Sequence, residues 1–219
     1  MQHLSLPSEQ RLAGVGLILG VLLALTACGG GGGGGGDAGA SGGADATIGV
    51  PSPPNSAGGA GTGGGGSTLV ALDASTSCNL PDFRNSLLQQ INAARAAARS
   101  CGGTAMPAVA PLAWNDALFS AAARHSTDMA VNNYFSHTGL DGRSASQRIA
   151  AEGYAWSWVG ENIAAGQTSV STVMSGWLAS AGHCANLMRA EYQHVGVSCV
   201  QRSGTTYGRY WTMTLARPR

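Results

Sequence analysis

From Gly29 to Thr68 the chain has almost nothing to bury: eight consecutive glycines, Gly29–Gly36, run into a tract of Gly, Ala, Ser and Pro. Such a stretch cannot offset the entropy of ordering with buried apolar area, so residues 28–68 are expected to form a flexible tether. All packing then falls to residues 69–219, enough for one domain with a real core. A phosphate-cradling glycine loop does not fit. No strand pattern precedes the run, and no Gly-Lys-Ser/Thr follows it.

Ahead of the tether, Arg11 is followed by the apolar run Leu12–Ala27, short for a membrane span and of the length of an export signal. The run ends in Leu25-Thr26-Ala27-Cys28, which resembles the lipobox of bacterial lipoprotein signals. That resemblance implies a signal peptide over residues 1–27 and a lipidated Cys28 as the first mature residue, with the membrane as a partner through the lipid. Gly29 stands where an aspartate often retains such proteins at the inner membrane, so a Gram-negative cell would place this one at the outer membrane. A formal net charge of +1, with no basic stripe, gives no case for nucleic acid.

Four cysteines remain in the foldable part: Cys78, Cys101, Cys184 and Cys199. In an exported chain an even number predicts two disulfides, and three pairings are open. A Cys-His nucleophile from His183 and Cys184 is disfavoured, because adjacent side chains rarely face each other.

Periodicity orders the domain. Leu87, Ile91, Ala94 and Ala98 mark a first helix with Asp82 as its cap, and Leu118, Ala122, His125 and Met129 form the apolar face of a second, capped by Asn115. Ser144 and Gln147 have capping-box spacing for a short third helix. Val170, Val173, Met174 and Trp177 mark a fourth, opened by Thr168 or Ser169. The period then becomes two: Val195, Val197 and Cys199 alternate, as do Trp211, Met213 and Leu215, predicting an antiparallel hairpin. Helices first and paired strands last indicate an α+β fold.

Three polar groups fall in glycine-flanked segments read as loops: His137 in Phe-Ser-His-Thr-Gly, Glu161 in Val-Gly-Glu-Asn-Ile, and His183 in Ala-Gly-His-Cys. Two imidazoles and a carboxylate are a ligand set that leaves zinc an open position. His125, on an apolar stripe, reads as a core histidine bonded to backbone. Trp177 and Trp211 read as core, while Trp156 and Trp158 could wall a groove.

Together the segments PLAWNDAL, HSTDMA, YFSHTGLDG, GENIAAG, GWLASAGHCANLM and HVGVSC, in this order from about Leu87 to Leu215, resemble the bacterial branch of the CAP superfamily. The name stands for cysteine-rich secretory proteins, antigen five and pathogenesis-related proteins, and the module is also called the SCP domain. The resemblance implies an α-β-α sandwich around a central antiparallel sheet, an extracytoplasmic location, and a cleft with a tetrad of two histidines and two glutamates able in some members to hold a divalent metal. His137, Glu161 and His183 match three tetrad positions, making His137 and His183 the metal candidates. At the fourth, this chain has Ser180, which supplies no carboxylate; Glu191 lies near the hairpin start as a possible substitute.

Two functions follow as expectations. One is a non-enzymatic binding module in the cell envelope, taking a small apolar ligand or lipid, a metal or an envelope component through the His/Glu cleft. The other is a metal-dependent hydrolase or peptidase, with zinc on His137 and His183 and Glu161 as the catalytic candidate. Lacking a second matched carboxylate, the enzyme is the weaker reading. A serine triad finds no support, since Ser136 adjoins His137 and no Gly-x-Ser-x-Gly is present.

Overall fold

The computed structural model describes residues 44–51 and 68–219; the expected signal peptide and Cys28 lie outside these residues. In chain order the elements are β1 (Ala44–Pro51), α1 (Phe83–Arg95), β2 (Arg99–Cys101), β3 (Thr104–Met106), β4 (Ala113–Trp114), α2 (Asp116–Asn132), α3 (Ala145–Ala151), β5 (Trp156–Ala165), α4 (Val170–Ala179), α5 (Ala181–Leu187), β6 (His194–Gln201) and β7 (Arg209–Pro218). Five strands form one sheet in the order β1-β5-β7-β6-β4, and β2 and β3 pair separately. All neighbours in the main sheet are antiparallel except β4 beside β6.

The helix starts have local causes. The Asn115 side chain accepts from the N–H groups of Ala117 and Leu118, opening α2. Ser144 with Gln147, and Ser169 with Thr172, form capping boxes for α3 and α4. Asp82 precedes α1 in a left-handed conformation and makes no side-chain cap bond.

One sheet face carries the main core. Phe83, Leu87 and Ile91 of α1, Val173, Met174 and Trp177 of α4, and Leu187 of α5 pack on Val195, Val197, Trp211, Met213 and Leu215. On the opposite face, the middle of β6 and β7 presents the small and hydroxyl residues Gly196, Ser198, Thr212 and Thr214, and α2 lies directly on it. Thr214 donates to the Leu118 carbonyl, and Ser126 donates to Thr212. At Gly196 an added Cβ would overlap the Phe119 backbone nitrogen, so this close approach requires glycine. The result is helices on both faces of a sheet, the α+β sandwich that the sequence implied.

Disulfides Cys78–Cys199 and Cys101–Cys184 settle the open pairing. The first ties the segment before α1 to β6, and the second ties the β2–β3 hairpin to α5.

Three sequence readings change. Glu161 sits inside β5 and His183 inside α5, not in loops. β5 was hidden because its last seven residues, Val159–Ala165, are all buried: a strand covered on both faces loses the alternation that marks one. Within the expected tether, Ala44–Pro51 forms an edge strand, with Thr47 opposite Glu161 and an irregularity between Thr47 and Val50.

Candidate functional site

Glu161 is the fixed point of the site. Its side chain is fully buried on β5, and both carboxylate oxygens are engaged. Oε1 accepts from His137 Nδ1 at 2.8 Å, and Oε2 accepts from Arg148 Nη2 at 2.6 Å. Arg148 projects from α3, and its Nη1 donates to the carbonyls of His137 (3.0 Å) and Arg143 (2.8 Å). One guanidinium therefore positions both the glutamate and the loop that carries its histidine partner.

The electrostatics follow from this packing. Burial pushes the Glu161 carboxyl up, but the His137 hydrogen bond and the Arg148 charge outweigh it and hold the group below its usual range. It is an anion already matched by a cation and a donor, and a poor base. His137, about one-fifth exposed at its side chain, is the site member nearest to solvent.

His183 enters from α5, on the opposite side of Glu161 in sequence from His137, and is 1% exposed. Its carbonyl accepts from Asn162 Nδ2 at 3.2 Å. Asn186, one turn later, donates to the Glu161 carbonyl and to Asn162 Oδ1, and the Tyr192 hydroxyl donates to Asn186 Oδ1. This amide ladder fixes α5 against β5. Asn162 thus bonds backbone.

Among the described residues, no group of three or more His, Cys, Asp or Glu side chains is placed to hold a metal. Ligation of zinc by Glu161 itself would require that carboxylate to leave Arg148 or His137. Ser180 lies between α4 and α5, where its carbonyl accepts from the Cys184 N–H and starts α5. Glu191 pairs with Arg189 at 3.9 Å rather than with any site histidine.

Nothing in the sequence marks Arg148, Asn186 or Tyr192 as site residues. Arg148 occupies an ordinary position in a short polar helix, and only the tertiary fold shows that it faces a buried acid. His125 is the core histidine expected: its Nε2 donates to the Ser136 carbonyl at 2.9 Å, and burial lowers its pKa. Beyond α5 from the site, Met106, Pro107, Val109, Ala185 and Met188 line an apolar pocket of about 440 Å³, with Arg189 and Glu191 also on its wall.

Relatives share this segment. YkwD of Bacillus subtilis is 32% identical over 102 residues, which are 47% of this chain and 38% of that protein. The membrane protein YlbC of the same organism is 36% identical over 89 residues, 41% of this chain and 26% of that protein. The chain thus spans well under half the length of either. An extracellular SCP-domain protein of Bacillus anthracis is 30% identical, with a TM-score of 0.47 over 63% of this chain and 44% of that one. The model of the cysteine-rich secretory protein family, CAP, matches residues 88–215, more than half of the sequence. The chain belongs to the CAP family.

Proposed function

We propose that this chain is a non-enzymatic binding module of the bacterial cell envelope, anchored outside the cytoplasm by a lipid on Cys28 and carrying its ligand site on the CAP domain. The observation that carries this reading is Glu161. A fully buried carboxylate with each oxygen held by Arg148 or His137 is poorly placed to activate water, and its lowered pKa disfavours proton abstraction. The enzyme reading has no other carboxylate among the matched residues, since Ser180 stands at the fourth position. Export is supported by the apolar run before Cys28 and by two disulfides, which persist outside the reducing cytoplasm.

For the ligand, the apolar pocket beside α5 supports a small hydrophobic molecule. Its floor rests on the cluster of Cys101, Cys184 and Met188, held by the disulfide that fixes α5, so it is a preformed concavity. The His137–Glu161–Arg148 network positions β5 and the adjoining loop, and the Asn186 ladder carries that order to α5.

The test uses the full chain in detergent micelles and cis-parinaric acid, a fluorescent fatty acid, as probe. Binding is expected for the wild type and should fall at least about tenfold when Ala185→Trp fills the pocket. No binding by the folded wild type, or equal binding by the variant, would overturn the apolar-ligand reading. Loss of the chain from the membrane fraction in Cys28→Ser tests the anchor separately.

A further inference from the structure

Of the five strands in the main sheet, β1 is the one drawn from the tether. It covers the edge of β5 from Trp158 to Ala164, with Thr47 opposite Glu161, and α5, which carries His183, lies beside it. Without β1, backbone N–H and C=O groups along the strand that holds Glu161 would stand unpaired, an open template for another strand. The chain closes that edge with eight of its own residues.

Composition singles out the same eight. Among residues 29–67, Ile48 and Val50 are the only large aliphatic side chains, no Leu, Met or aromatic residue occurs, and Thr47 completes a strand-favouring run. The flanking stretches 29–43 and 52–67 consist of Gly, Ala, Ser, Thr, Asp, Asn and Pro. No disulfide ties β1 down: both bridges lie elsewhere, and β5, β7, β6 and β4 form a sheet among themselves. β1 pairs with a single neighbour, and that pairing is irregular between Thr47 and Val50.

A strand on such a leash meets an identical edge on every other copy of the chain. Residues 52–67 can extend to about 55 Å, more than the roughly 40 Å width of a domain this size, so the strand reaches a neighbouring copy. We propose that β1 is an exchangeable strand: the β5 edge takes Ala44–Pro51 from a second copy of this chain as it takes its own, and neighbouring copies pair through their tethers. In dilute solution the copy's own strand wins, because its leash gives it an effective concentration of order millimolar; exchange sets in as the chains approach that density. The β5 edge is not the apolar pocket, so failure here leaves the proposed function untouched.

Disulfide trapping in the full chain, in detergent micelles, tests this. Residues directly opposed in an antiparallel pair stand within disulfide reach; Ala44 opposes Ala164, and Pro51 opposes Trp158. The double variants Ala44→Cys/Ala164→Cys and Pro51→Cys/Trp158→Cys should each close an internal disulfide in dilute protein. When the two substitutions of a pair are placed on separate copies and mixed at about millimolar concentration, a covalent mixed dimer should form. Its yield should fall at least about tenfold when the donor copy also carries Thr47→Pro and Val50→Pro, which remove ladder donors. Using both ends of the strand keeps the test valid if one substitution disturbs folding. The proposal is overturned if neither pair cross-links between copies although the internal disulfides close, if the mixed dimers survive the prolines, or if neither internal disulfide closes.

Discussion

At the scale of single residues, Arg148 and His125 decide the most. Removing the guanidinium with Arg148→Met strands Glu161 as a buried anion. The loss is expected to be about 3–5 kcal/mol, read as a shift in the urea midpoint, whereas Arg148→Met paired with Glu161→Gln should recover part of it. Recovery of nothing would show that Arg148 acts through packing alone. His125 sets a pH dependence. Burial lowers its pKa below the usual 6.5, so the folded state holds fewer protons there than the unfolded chain. Its contribution is therefore full above pH 6.5 and is lost as pH falls through the depressed folded value. Urea midpoints should decline below pH 6.5 in the wild type, and the decline should flatten in His125→Gln, which has no titrating ring. An unchanged slope would assign the acid sensitivity elsewhere.

At the scale of elements, two glycines carry different loads. Gly196 lets β6 lie against the backbone of α2, which cannot move aside, so Gly196→Ala should separate helix from sheet. An added Cβ at Gly160 meets instead the Tyr192 hydroxyl and Asn186 Oδ1, side-chain atoms at the end of the α5 ladder. Thermal melts should show the larger loss for Gly196→Ala, of about 1–3 kcal/mol or more, and the reverse order would contradict the described contact. The same elements show what sequence can reveal. α2, α3 and α4 were legible because cap chemistry and a one-sided apolar stripe coincide, and the β6–β7 hairpin because one residue in two faces the main core. β5 was not: both its faces are covered, and its acid is satisfied by an arginine 13 positions earlier, a pairing that leaves no periodic trace. His137, Glu161 and His183 were picked out by their motifs, but the cation that neutralises the glutamate was not among them.

For the whole molecule, the disulfides act on the unfolded chain. Cys78–Cys199 spans 121 residues and Cys101–Cys184 spans 83, nested within it. Each closes a loop whose entropy is of order 4–5 kcal/mol, less in combination because the loops overlap. Reduction is expected to lower the melting temperature markedly. Cys101→Ala/Cys184→Ala should bind cis-parinaric acid more weakly at the α5 pocket than Cys78→Ala/Cys199→Ala, since only the first pair anchors α5; equal losses would detach that pocket from its disulfide. The central claim, a binding domain whose family glutamate is a structural anion, meets its most direct test in the titration of the Glu161 carboxyl carbon by NMR. The account predicts that it stays ionised well below pH 4.5, with Arg148→Met raising its midpoint. A wild-type midpoint above 4.5 would contradict it and return Glu161 to the groups able to act as a base.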